Sequence, residues 1–113
     1  MNLTTDRHQG VAVVRVGEPR LMYPLLSEFS TIVTSLLGGG ERKVLLDLSQ
    51  VTYVDSATIG CFMDLYRQAA AAGAALKLSG VQKRVETMLS MTGAQNFLEI
   101  HPDEPTALKS FGA

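Results

Sequence analysis

The sequence predicts an α/β protein, with a mostly parallel central sheet after an N-terminal hairpin and about four helices. Two segments rich in β-branched or strand-forming residues, separated by a glycine turn, open the chain. Segments with helical spacing then alternate with short apolar segments. Residues 43–48 are almost continuously apolar, which is typical of a strand covered by helices on both faces of its sheet.

The hairpin strands are predicted at residues 3–7 and 11–16, joined by a turn that ends in glycine. A break over residues 17–20 leads into a helix over about 23–37, in which apolar residues recur every three or four positions. Pro24 suits the first turn of this helix, and three consecutive glycines end it.

The second half alternates in the same way, and each helix is expected to end at a glycine or begin at a polar capping residue. The predicted elements are a strand at 43–48, an extended segment at 51–54, a helix from Ser56 to Gly73, a strand at 75–79, a helix around 85–89 ended by Gly93, a strand at 97–100 and a short helix after Asp103. Beyond the hairpin this order favours parallel strands with right-handed crossovers.

The 113 residues, 46% of them hydrophobic and 19% charged, fit one domain over residues 1–113. The lone cysteine, Cys61, has no intramolecular disulfide partner, and the polar residues after Met1 do not resemble a signal peptide. No segment reaches the roughly 18 apolar residues of a membrane helix. We therefore expect a cytoplasmic protein without direct membrane insertion.

Composition also argues against several functions. A net charge of −1 with scattered cations disfavours a nucleic-acid partner. The two histidines, His8 and His101, lie in no catalytic or metal-binding spacing, so we expect no enzyme activity, no metal and no cofactor. Cys61 is interpreted as a packed core thiol, because glycine and phenylalanine flank it.

Ser56 lies where an extended segment meets a helix. A serine there can cap free backbone N–H groups, and the positive potential of the same helix end favours a phosphate on the hydroxyl. From the residues alone, a plain cap and a modified serine remain equally open.

The segment 44–56, VLLDLSQVTYVDS, resembles the signature of STAS domains, the family of bacterial anti-sigma factor antagonists. The resemblance continues through Gly60, residues 72–76, residues 85–93 and the segment from Phe97 to Phe111, and so covers nearly the whole chain. It implies the STAS fold.

The resemblance also implies a function. In this family, an anti-sigma factor that is also a serine kinase of the GHKL ATPase type phosphorylates the serine at the position of Ser56. Phosphorylation releases the antagonist from that kinase, and a PP2C-type phosphatase resets it. Thr58 is a secondary phosphorylation candidate, and otherwise a helical threonine that bonds back to the preceding turn. The predicted partner-binding residues are Asp55, Ser56, Ala57, Thr58, Ile59, Gly60 and Met22.

Two segments depart from the family pattern. Ala57 and Thr58 stand where the family usually has serine or threonine followed by glycine, and Met22 stands where many members carry aspartate. Residues 21–23 look exposed and apolar, which indicates a more apolar contact surface, a homodimer, or simply a cover over the sheet.

Two other functions remain as alternatives. A STAS subunit of a membrane transport complex, such as a lipid-transport ATPase, would dock through the same helix without phosphorylation. A small hydrolase or thiol enzyme would instead depend on Ser56 or Cys61.

Overall fold

The computed structural model describes residues 2–112. Its elements, in chain order, are β1 (Leu3–His8), β2 (Val11–Val16), β3 (Arg20–Leu21), α1 (Leu25–Gly38), β4 (Lys43–Asp47), β5 (Tyr53–Val54), α2 (Ser56–Ala71), β6 (Ala75–Ser79), α3 (Lys83–Thr92), a 3-10 turn (Ala94–Asn96), β7 (Glu99–His101) and α4 (Glu104–Ser110). The predicted α/β class is confirmed.

Five strands form the central sheet, in the order β1-β2-β4-β6-β7. The first two strands pair antiparallel as the opening hairpin, and every later pairing in this sheet is parallel. The central strand β4 has Val44, Leu45 and Leu46 fully buried. Its side chains are covered from both sides, which explains why this strand shows no polar alternation.

Helices α1, α2 and α3 contribute to the larger apolar core together with one face of the sheet. The rings of Phe29 in α1 and Phe62 in α2 meet edge to face, with centroids 6.0 Å apart. Helix α4 covers the opposite face, where Leu108 and Phe111 pack with Val13 and Leu45. The sheet therefore lies between two helical layers, and the packing of α2 on one face sets the location of its first turn.

Some predicted boundaries were wrong. Helix α1 begins at Leu25, with Pro24 at the N-cap position. The last strand begins at Glu99, because the chain first forms the 3-10 turn after Gly93.

The break expected at residues 17–20 ends in a short strand, β3, which the sequence did not predict. β3 pairs in parallel with β5, with Arg20 opposite Tyr53 and Leu21 opposite Val54. A two-residue strand is too short to show any periodicity, so only the fold reveals this pairing.

Arg15 in β2 joins several elements through its guanidinium group. Its Nη1 lies 2.9 Å from Asp47 of β4, its Nε lies 3.5 Å from Asp6 of β1, and the group also binds Glu104 of α4. The Arg15 side chain is only 29% exposed. This ion-pair network joins the start of α4 to strands β1, β2 and β4 on the face of the sheet opposite α2.

We predict that Arg15→Met lowers the free energy of unfolding by about 1 kcal/mol. This value is lower than for fully buried ion pairs, because solvent partly screens the ion pairs of Arg15. The variant keeps the aliphatic stem but leaves three carboxylates facing one another. Urea denaturation followed by circular dichroism measures the loss. Arg7→Met, which removes the exposed pair with Glu41, is the matched control and should leave stability unchanged; equal losses in both variants would refute the role of Arg15.

Candidate functional site

The candidate site lies where β5 ends and α2 begins. Asp55 is the N-cap residue of α2, and its Oδ1 accepts a hydrogen bond of 2.9 Å from the backbone N–H of Thr58. Ser56 is the first helical residue. Of the two roles left open for Ser56, the cap belongs instead to Asp55, which has the extended backbone that a cap requires.

The Ser56 side chain is exposed. Within residues 2–112, its hydroxyl is not part of any hydrogen bond between side chains or from side chain to backbone. The helix start thus presents a hydroxyl that is free to react or to contact a partner.

Asp55 supplies a negative charge beside that hydroxyl. The hydrogen bond from the Thr58 N–H, followed by contact with the Thr58 hydroxyl, holds the pKa of the Asp55 carboxyl below its ordinary value of 3.8. Asp55 is therefore ionised at neutral pH and strengthens its own interaction with the positive end of α2.

Thr58 is fully buried. Its Oγ1 lies 2.6 Å from the backbone carbonyl oxygen of Leu21 and 2.8 Å from Oδ1 of Asp55. The hydroxyl therefore does not simply bond back to its own helix: it also reaches the end of β3.

The predicted contact residues fall into three groups by exposure. Ser56, Ala57 and Gly60 are exposed, Asp55 and Met22 are half-buried, and Thr58 and Ile59 are buried. The structure brings all seven to one end of α2, although two of them face the core.

We call residues 19–23 the strap, because this segment crosses beside the start of α2. The Pro19 carbonyl accepts hydrogen bonds from the N–H groups of Thr52 and Tyr53, at 2.8 and 3.0 Å. The Arg20 guanidinium lies 5.9 Å from the centre of the Tyr53 ring.

The exposure of the strap differs from the exposure that the sequence predicts. Leu21 was expected to be exposed, but it is fully buried, because its side chain joins the larger core. Met22 is half-buried and Tyr23 is 80% exposed. Only the end of the strap therefore offers apolar surface to a partner.

A shallow groove of about 400 Å³ extends from Ser56 along α2. One wall carries Ser56, Gly60, Met63 and Arg67, and the opposite wall includes Phe97, which is 59% exposed. This groove was not predicted from the sequence. The residues of its helical wall are spaced four, three and four positions apart, which predicts that they share one face of α2. The opposite wall comes from a turn far away in the sequence, so the groove itself has no local signal.

Other candidate groups lie apart from this site. Cys61 packs against the core, and burial raises the pKa of its thiol above the ordinary value of 9.0. Among the described residues, no cluster of histidine, cysteine, aspartate and glutamate is arranged to hold a metal ion. None of the helices in the described part of the chain is both long enough and apolar enough to cross a membrane.

Comparison with known proteins places this fold and helix start in a family. The family model described as the STAS domain matches residues 2–107, and the chain belongs to this family. Its relatives include the anti-sigma-B factor antagonist of Staphylococcus aureus, 23% identical over 101 residues, which cover 89% of this chain and 93% of the relative.

Solved structures share the fold. An anti-sigma factor antagonist from Mycobacterium paratuberculosis superposes with a TM-score of 0.85 at 16% identity, covering 96% of this chain and 91% of the other. SpoIIAA in its unphosphorylated form gives a TM-score of 0.80 at 12% identity, covering 98% and 97%. The phosphorylated form of SpoIIAA, from Bacillus, gives 0.75 at 12% identity, covering 96% and 98%.

We predict that Asp55→Ala lowers the free energy of unfolding by about 1 kcal/mol at neutral pH, because the Thr58 N–H loses its acceptor. Asp55→Asn should retain most of that stability, since asparagine also caps helices. Chemical denaturation of both variants and of the wild type measures the difference.

The pH dependence of stability tests the charge on Asp55. Because the folded state holds the pKa of this carboxyl below 3.8, its stabilising contribution is present above that pH and is lost as the pH falls through the folded-state pKa. Asp55→Asn should therefore lose less stability than the wild type on acidification. Asp103→Asn should respond in the same direction, because the Thr106 N–H lowers the pKa of the Asp103 carboxyl at the equivalent cap of α4. An unchanged acid response in Asp55→Asn would contradict the ionised cap.

Proposed function

We propose that this protein is an anti-sigma factor antagonist that binds an anti-sigma factor with serine kinase activity, and that phosphorylation of Ser56 switches this binding off. The observation that carries the proposal is the exposed, unbonded Ser56 hydroxyl directly after an ionised helix cap. Relatives named as anti-sigma factor antagonists support the general role.

The geometry suits phosphoryl transfer to Ser56. The kinase would supply Mg-ATP, the Ser56 oxygen would form the new bond to the γ-phosphorus, and ADP would leave as the old bond breaks. The hydroxyl proton would pass to a base on the kinase, because Asp55 is engaged by Thr58. The antagonist contributes an accessible hydroxyl and no catalytic group of its own.

A phosphate on Ser56 would change the contact through charge. It carries about −1.5 to −2 charges, next to the carboxylate of Asp55. In the free protein, water and the positive end of α2 can stabilise this charge. Against a partner surface that excludes water, the two negative groups would repel and lose solvation, so binding weakens without refolding.

The surface of the strap and of β5, which leads into α2, suits a protein partner. Tyr23 is 80% exposed and Tyr53 is 37% exposed, and Met22 is half-buried beside them. Aromatic residues and methionine are enriched in protein interfaces. The same apolar surface is compatible with a homodimer, which competition with the kinase would reveal.

Ser56 is a better phosphorylation site than Thr58. The Thr58 hydroxyl is buried and bonded to the Leu21 carbonyl, so a kinase would have to unwind the start of α2 to reach it. We therefore assign the switch to Ser56 alone, with a PP2C-type phosphatase as the enzyme that reverses it.

A subunit of a membrane transport complex is the weaker alternative. The relatives and structures described above are named as anti-sigma factor antagonists or as SpoIIAA, and they do not favour a transport role. Docking on a transporter would also not require a free hydroxyl at Ser56.

We predict that Ser56→Asp recovers no more than about a tenth of the kinase that the wild type recovers, a change equivalent to about 1.4 kcal/mol of binding. Affinity capture of tagged variants from native-host lysate, quantified by mass spectrometry, measures this. Ser56→Ala should bind as the wild type does, because it adds no charge.

Ser35→Asp is the matched control, because it places the same charge on an exposed position of another helix. It should leave recovery unchanged. Equal recovery of a GHKL-type kinase by the wild type and Ser56→Asp would contradict the switch, and recovery of a transporter ATPase by both would favour the alternative.

A further inference from the structure

The buried Thr58 hydroxyl is a contact between two segments that are far apart in the chain. It lies 2.6 Å from the carbonyl oxygen of Leu21, 37 positions earlier, and 2.8 Å from the carboxylate of Asp55. The backbone N–H of Thr58 binds the same carboxylate oxygen at 2.9 Å. Thr58 thus connects the strap, the helix cap and the first turn of α2.

A threonine hydroxyl has one hydrogen to donate. The Leu21 carbonyl and the ionised Asp55 carboxylate are both acceptors, so they share this single donor. The shorter distance is to the Leu21 carbonyl. Because the site excludes water, losing the hydroxyl would leave a buried acceptor with one partner fewer.

The contact lies where the strap leaves the core. Before it, the strap is held by the Pro19 carbonyl and by the two-residue pairing of β3 with β5. After it, the chain emerges through half-buried Met22 to exposed Tyr23. The Met22 carbonyl also accepts a hydrogen bond of 2.9 Å from the N–H of Leu26 in α1. The position of the Met22 and Tyr23 side chains relative to Ser56 therefore depends in part on how firmly Leu21 is attached to α2.

We propose that Thr58 is a positioning residue: its buried hydroxyl attaches the end of the strap to the start of α2, so that Met22, Tyr23 and Ser56 form one rigid partner-binding surface. The role of this surface in binding rests on the proposed function above, whereas the attachment itself does not. A residue without a hydroxyl at position 58 would weaken this attachment, whereas the buried Leu21 side chain and the pairing of β3 with β5 would remain.

Two substitutions separate the hydroxyl from the bulk of the side chain. Thr58→Val keeps the shape but removes the donor, whereas Thr58→Ser keeps the donor but removes a methyl group. A residue that merely fills space would tolerate valine better than serine. A residue that acts through its hydroxyl shows the reverse order.

Amide hydrogen exchange followed by NMR tests the attachment without any partner. In Thr58→Val, the amides of residues 20–23 should exchange about five- to tenfold faster than in the wild type, the effect expected for one lost hydrogen bond. Thr58→Ser should stay within about twofold of the wild type. The amides of α4, on the opposite face of the sheet, should not change in either variant, because the local opening of this short helix does not break the Thr58 contact.

Thr58→Ala replaces Thr58→Val if the valine variant does not fold, and it should accelerate the same amides. Unchanged exchange at residues 20–23 in the variant without a hydroxyl would overturn the proposal. Equal acceleration of the strap and α4 amides would also overturn it, because the effect would then not be confined to the strap.

Affinity capture tests the role of the rigid surface. Thr58→Val should recover several-fold less kinase than the wild type, and Thr58→Ser about the same amount. If Ser56→Asp abolishes capture but Thr58→Val does not weaken it, the positioning role fails while the proposed function stands. If Ser56→Asp binds as the wild type does, the proposed function fails, and the exchange experiment alone decides whether Thr58 attaches the strap.

Discussion

The charged cap at the start of α2 is the interaction on which the candidate site depends. The Asp55 carboxylate accepts a hydrogen bond from the Thr58 N–H in the first turn of the helix. This bond lowers the pKa of the Asp55 carboxyl and so keeps it ionised. Because Asp55 caps the helix, Ser56 is not needed as the cap, and its side chain is exposed. The exposed serine and the residue that caps the helix are therefore two adjacent residues.

The rest of the fold holds that junction in place. Strand β4 is buried between two helical layers, and Phe62 fixes α2 against α1 through an edge-to-face contact with Phe29. A phosphate on Ser56 would sit outside this core. In the proposed switch, local charge at the start of α2 weakens binding, and no change of fold is needed.

The regular elements could be predicted from the sequence, because their signals are local. The apolar run at β4, the helical spacing before Gly38 and the left-handed glycine after α3 each act within a few residues. The resemblance of residues 44–56 to STAS domains was likewise sufficient to identify the family, which the family model confirms.

The fine structure of the site could not be predicted in this way. Asp55 and Ser56 are both good capping residues, and the choice between them depends on the backbone conformation at position 55. The burial of Leu21 and its bond to Thr58 depend on the pairing of β3 with β5, two short strands with no periodic signal. Long-range contacts of this kind arise only when the chain has folded.

Phosphopeptide mapping of the protein purified from its native host tests the central claim most directly. The account predicts a phosphate on the peptide that contains Ser56, localised to that residue by fragmentation, and no phosphate there in Ser56→Ala. A phosphate on Thr58 or on a serine outside the start of α2, with Ser56 unmodified, would contradict the account.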